Sequence, residues 1–287
     1  MNAPPPAPTL DLSSLAGSFA GQVLQHLSAI VDPVVLVGGS VRDLLLGREL
    51  HDLDLAVPAG GLASARRLAD LLHGAYVPLD AERDTGRAVL TDPSGQPLYV
   101  DFAAWRGPSL ADDLRKRDFT INALAAQVQG AAAAIIDVTG GLADLDARLL
   151  RTVSSQALED DPLRCLRAVR LLAELSPWRF RLEHDTARQI RQYAPLVSAS
   201  ASERVRDELA RTLAAAEPGR WLALLSDLGL LAVVLPEAEA LRGVAQTAPH
   251  IYDVFDHTAR VLGYSACLAG WVLGHSEPTD ALGAAAC

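Results

Sequence analysis

The stretch VVLVGGSVRDLLLGRELHDLDLAV, residues 34–57, decides how this chain is read. It begins as a short apolar strand, stops at Gly38 and Gly39, turns through a short helix closed by Gly47, and returns as a second strand. That second strand carries Asp52 and Asp54. Side chains two apart on a strand share a face, so the carboxylates stand roughly 6–7 Å apart. Like charges at that spacing repel unless a cation lies between them. Asp52 and Asp54 are therefore candidate ligands of a divalent metal. Backbone N–H groups around Gly38, Gly39 and Ser40, with Arg42 on the helix, can hold an anion. Phosphate site plus paired carboxylates suggests a nucleoside triphosphate with magnesium. The G-x-x-x-x-G-K-[ST] pattern is absent, which excludes a P-loop.

Outward from this stretch, residues 15–30 read as an amphipathic helix and LASARRLADLLHG as another. AYVPLD, RAVLTD and PLYVDFAAW read as strands, the last two joined by a DPSGQ turn. From about residue 110 the strand signals fade. Helices are expected at LADDLRKRDFTINALAAQV, GLADLDARL, DPLRCLRAVRLLAEL, EHDTARQIRQYA, SERVRDELARTLAAA and GRWLALLSDLGLLAVVL. The fold class is α+β: a mixed sheet with helices, then an all-helical region.

The 287 residues suffice for about two domains, and half are hydrophobic. No apolar run approaches the ~20 residues of a membrane span, and the N-terminus lacks the pattern of a secretory signal. Cys165, Cys267 and Cys287 show no metal or disulfide spacing, which fits a cytoplasmic protein. The net charge of −10 argues against a general nucleic-acid-binding surface. Lys116 is the only lysine; every other fixed positive charge is an arginine, whose planar fork suits phosphates and base edges.

VGGSVRDLLLGRELHDLDLAV, residues 37–57, resembles the signature of the class II tRNA nucleotidyltransferase and bacterial poly(A) polymerase family: a GG turn, an Arg-Asp and a DxD. Four further segments resemble that family's motifs in order. RKRDFTINALA, residues 115–125, is similar to its ribose-reading motif, which implies nucleotide-binding roles for Arg117, Asp118 and Asn122. The family has two arginines before the Asp; here Lys116 replaces the first. DVTGGLADLDARLLRTV, residues 137–153, resembles the hinge between head and neck, with an Asp144–Arg148 helical pair. EDDPLRCLRAVRLLAEL, residues 159–175, resembles the motif that reads the incoming base through Asp161 and Arg164. Pro162 suits a first helical position and Asp161 an N-cap. Arg164, Arg167 and Arg170 form one stripe beside Leu163, Leu166 and Val169, and Arg167 joins the nucleotide-binding set. SERVRDELARTL, residues 202–213, resembles a supporting neck helix capped by Ser202.

Asp accepts and Arg donates. Cytosine and adenine each offer a donor beside an acceptor on the pairing edge; uracil and guanine reverse the order. An Asp–Arg pair therefore matches C and A and leaves buried groups unpaired with U or G, at about 1–3 kcal/mol each. Asp101, in LYVDFAAW, is a candidate third carboxylate, to assist metal binding or accept a proton.

The resemblance implies domains at 15–150 (head, the catalytic palm) and 151–240 (helical neck), after a disordered lead-in at 1–14. Residues 241–287 resemble a partial HD-like helical body, truncated before further His and Asp ligands. It implies a magnesium-dependent transferase with two ions, using CTP or ATP on tRNA 3′ ends. CCA-adding members carry a flexible loop after the Asp101 strand. Here VDFAAWRGPSLADDLRKRDF joins the elements almost directly, which favours CC addition. CCA addition, A addition and poly(A) synthesis are the alternatives in that class. A catalytically weak RNA-binding or partner subunit is the alternative outside it; the clustered carboxylates argue against it, since an RNA surface has no use for them.

Overall fold

The computed structural model describes residues 8–15 and 17–273. The chain divides into two compact units, Met1–Ala147 and Arg148–Cys287.

The first unit is built on eight strands: β1 (Thr9–Asp11), β2 (Val35–Val37), β3 (Asp52–Val57), β4 (Ala75–Asp80), β5 (Thr85–Thr91), β6 (Pro97–Ala104), β7 (Leu124–Gln129) and β8 (Ala132–Asp137). They form one sheet in the order β1-β8-β7-β2-β3-β6-β5-β4. Only β3 and β6 pair in parallel, with Asp54 opposite Asp101. Among the described residues, five α-helices accompany them: α1 (Phe19–Leu27), α2 (Gly39–Leu45), α3 (Gly61–Leu71), α4 (Leu110–Arg115) and α5 (Gly141–Asp146).

Period-two patterning sorts the faces of β3. Leu53, Leu55 and Val57 bury in the main core with Leu36, Val100 and Phe102. Ala56 faces the other way, into a smaller cluster with Val35, Val37, Leu114 and Ala125. Asp52 and Asp54 share the face of Ala56, at the edge of that smaller cluster.

Two expectations are corrected here. The helix read over LADDLRKRDFTINALAAQV ends at Arg115; a short 3₁₀ turn, Thr120–Asn122, leads into β7. LAAQVQ and AAAIID form a hairpin through Gly130 at φ +64. Alanine favours helix in isolation, but here Leu124, Ala125 and Ala126 lie fully buried inside the sheet, where packing outweighs propensity. Part of the lead-in at 1–14 is also ordered. Thr9–Asp11 pairs antiparallel with Ala132–Ala134 as an edge strand, and Leu12 and Leu15 are buried. Residues 1–7 of that lead-in lie outside the described residues.

Among its described residues the second unit is helical apart from a two-stranded parallel pair, β9 (Leu149–Leu150) and β10 (Arg181–Leu182). Its helices are α6 (Gln156–Asp160), α7 (Arg164–Glu174), α8 (His184–Tyr193), α9 (Ser202–Leu213), α10 (Pro218–Asp227), α11 (Leu231–Val234), α12 (Pro236–Glu239) and α13 (Val254–Val272). GRWLALLSDLGLLAVVL is two helices, broken at Gly229 with φ +72. Leu163, Leu166 and Val169 bury one side of α7 as the sequence pattern predicts. The last residues, 274–287, lie outside the described residues, and the partial helical body expected over 241–287 extends into them. No described helix is long and apolar enough to cross a membrane.

Candidate active site

Gly38 ends β2 with φ +67, a conformation that penalises any side chain, and its N–H donates to the carbonyl of Leu124 on β7. A Cβ there would stand 3.1 Å from Nη1 of Arg117 and 3.5 Å from Oδ2 of Asp54. At Gly39 it would stand 3.6 Å from Asp54 Oδ2 and from Arg42 Nη2. The two glycines thus let the turn lie against a carboxylate and two guanidinium groups. Ser40 begins α2 buried. Its hydroxyl donates to the carbonyl of Asp52 at 3.2 Å and accepts the N–H of Asp54 at 2.7 Å. It fastens α2 to the carboxylate strand.

Asp52 is exposed and Asp54 partly buried. Burial, then the charge of Asp101, pushes the Asp54 carboxyl up to about 6; Asp52 adds to this, while Arg117 and Arg42 oppose it. A carboxylate so poorly compensated, beside a second one on the same strand face, supplies hard oxygen donors that fit a divalent cation. Asp101 differs from them. Arg87, directly across on β5, donates to both its oxygens, from Nε at 2.7 Å and Nη2 at 2.8 Å. Among the described residues no three Asp, Glu, His or Cys side chains converge as a metal-binding group.

Arg117 is aimed by a residue that sequence reasoning missed. Asp113, only 2% exposed, accepts from Arg117 Nη2 at 2.8 Å and from Arg106 Nε at 3.0 Å. Burial raises the Asp113 carboxyl, but Arg117 and Arg106 together hold it below the usual range. The i,i+4 spacing of Asp113 and Arg117 is the signal that could have found it. Asn122 accepts from Arg42 Nη1 at 2.7 Å and reaches Asp118 Oδ1 at 3.5 Å. Asp118 is buried and also accepts the N–H of Phe119. Arg42 pairs with Asp43 as well. Gly38, Gly39, Ser40, Arg42, Asp54, Arg117, Asp118 and Asn122 are therefore linked in one network in the first unit. Asp101 stands beside Asp54 in register. Lys116 lies at the C-terminal end of α4. Asp144 accepts the hydroxyl of Thr120 at 2.6 Å, and Arg148 lies past the end of α5 with φ +55.

In the second unit Asp161 does not cap α7, which starts at Arg164. Its carboxylate accepts from Arg204 Nη2 of α9 at 2.9 Å. Ser202 likewise is the first residue of α9 and makes no cap bond. Arg164 is buried and donates to the carbonyl of Ala157. Arg167 and Arg170 both donate to Glu208 of α9, at 3.1 and 2.6 Å. Glu174 accepts from Arg170 and from Arg211. Arg167 and Arg170 are thus held by the buried carboxylate of Glu208 on α9, with the partly buried Glu174 of α7 adding to the hold on Arg170, and Leu163, Arg167, Arg204, Asp207, Glu208 and Arg211 line a hollow between these helices.

Comparison with known proteins identifies a family for the chain. The poly A polymerase head domain matches residues 34–103 and 83–151. The "probable RNA and SrmB-binding site of polymerase A" matches residues 179–241. An A-adding tRNA nucleotidyltransferase of Deinococcus radiodurans is 42% identical over 79% of this chain and 50% of its own length. A CC-adding tRNA nucleotidyltransferase of Geobacter sulfurreducens is 44% identical over 62% of this chain and 39% of its own. The Thermotoga maritima CCA-adding enzyme complexed with tRNA superposes with a TM-score of 0.68 at 26% identity, covering 92% of this chain and 62% of that one. The chain spans about half the length of the curated relatives it matches. With these matches over most of its length, the chain belongs to the tRNA nucleotidyltransferase and poly(A) polymerase family.

Proposed function

We propose that this chain transfers CMP from CTP to the 3′ end of tRNA and releases pyrophosphate, favouring CC addition. The observation that carries the reading is the setting of Asp54. A Cβ on either glycine of the turn would touch its carboxylate, Arg117 and Arg42 stand near it, and it is electrostatically short of positive charge. Asp52 and Asp54 would hold the magnesium ions. Bound there, magnesium would neutralise triphosphate charge and lower the pKa of the attacking hydroxyl. The turn at Gly38–Gly39 gives the triphosphate close access to the backbone, with Ser40 keeping β3 in place. Arg42 and Arg117 orient phosphates and ribose, the latter with Asp118 and Asn122. Asp161, with its carboxylate steadied by Arg204, and Arg164 read the base; Arg167 flanks them.

Two observations favour CC addition: the CC-adding relative, and the connection from β6 to α4, which is only residues 105–109. The A-adding relative supports AMP transfer to tRNA ending in CC as the second reading. Extension of tRNA transcripts ending before CCA, and after CC, with each single NTP and Mg²⁺ separates them. The expected result is two CMP additions that stop, with no AMP on the CC end. AMP on the CC end with no CMP addition overturns CC addition in favour of the second reading.

A further inference from the structure

Asp101 stands in register with Asp54 on the neighbouring parallel strand, where a third metal ligand would be sought. Its surroundings speak for a different part. Arg87 lies opposite it on the far side, and the guanidinium meets the carboxylate edge to edge, one nitrogen on each oxygen, at 2.7 and 2.8 Å. This planar double bond offsets part of the charge of Asp101 and fixes its orientation. The guanidinium is itself held in place over the ring of Tyr99, 4.8 Å from its centroid. A divalent ion ligated by Asp101 would sit within about 5 Å of that guanidinium, given a magnesium–oxygen distance near ~2.1 Å, and would be repelled by it. Nor do the described carboxylates converge in a group of three.

We propose that Arg87 is a positioning residue that reserves Asp101 as its own ion-pair partner, so that the divalent ion is held by Asp52 and Asp54 without Asp101. The row Asp54–Asp101–Arg87 across β3, β6 and β5 is then a metal ligand, a spacer and a counter-charge. The pair limits how much negative charge the metal pair sees, and so limits how tightly the ion is held. This rests on the metal-dependent reading of Asp52 and Asp54.

The test is Mn²⁺ binding to the full chain, followed by electron paramagnetic resonance, without nucleotide or tRNA. Asp54→Asn removes a ligand and weakens Mn²⁺ by about tenfold or more, whereas Asp101→Asn stays within about threefold of the parent. Arg87→Met releases Asp101 and tightens Mn²⁺ severalfold, and the double variant Arg87→Met/Asp101→Asn loses that gain. Thermal melts check that each variant is folded, and the comparison of Asp101→Asn with Asp54→Asn decides the matter without Arg87→Met. Equal losses in Asp101→Asn and Asp54→Asn would make Asp101 a ligand and overturn the proposal. So would a folded Arg87→Met with unchanged affinity. Unchanged affinity in Asp54→Asn would instead remove the metal reading on which the proposal stands.

Discussion

Ser40 and Asp54 are tied by one hydroxyl: Ser40 Oγ accepts the N–H of Asp54 at 2.7 Å while donating to the carbonyl of Asp52. A single buried side chain at the start of α2 thereby sets the height of both carboxylates against the glycine turn. Ser40→Ala leaves these strand groups without that partner, a loss of about 1–3 kcal/mol. Urea denaturation checks this. CMP transfer falls further than the loss of folded protein accounts for.

Asp54 makes stability depend on pH. Its carboxyl rises from an ordinary 3.8 to about 6 in the folded protein. The folded state therefore holds the proton more tightly, and this group costs stability progressively as pH rises from about 4 to about 6. Without divalent ions, Asp54→Asn is more stable than the parent at pH 7.5 by about 2–3 kcal/mol, and the difference closes below pH 4. Denaturation midpoints across pH, with a chelator present, measure it. Since only the ionised carboxylate binds metal, added Mg²⁺ stabilises the parent and not the variant, and less so below pH 6.

Asp113 holds Arg117 and Arg106 together while almost wholly buried. Removing one partner of such a cluster is costly, so Asp113→Ala destabilises by about 3–5 kcal/mol. Asp113→Asn keeps the shape but not the charge. At temperatures where it is folded, it raises KM for CTP through a misdirected Arg117, and steady-state kinetics show it.

Asp161 gives the cleanest change of base preference. Its carboxylate can only accept, and Arg204 fixes one of its oxygens. Asp161→Asn introduces a donor at that position. The CTP-over-UTP preference in kcat/KM then drops by about tenfold or more. The Glu208→Gln variant disturbs Arg167 and Arg170 instead and acts mainly on thermal stability, since Glu208 is buried between α7 and α9.

Most of the head was legible because its signals are local. A GG pair ending an apolar strand, and two aspartates at period two, need no tertiary knowledge to be placed. The helix from Arg164 to Glu174 was legible as a helix with a leucine stripe, but the burial of Arg164 and Arg170 beside those leucines was not. Three further things were hidden. The hairpin of β7 and β8 is rich in alanine, and its strand character comes from burial within the sheet. Thr9–Asp11 becomes a strand only because β8 offers it an edge. At the site, the partners Arg87, Asp113 and Arg204 are charged residues that read as solvated surface until the fold places a carboxylate or guanidinium opposite each of them.

The most direct measurement is incorporation of labelled CMP into tRNA lacking its 3′ CCA, with Mg²⁺, by the parent chain and by folded Asp54→Asn. The account predicts two CMP additions by the parent and a loss of several orders of magnitude in the variant. Undiminished incorporation by Asp54→Asn, or none by the parent, would contradict it.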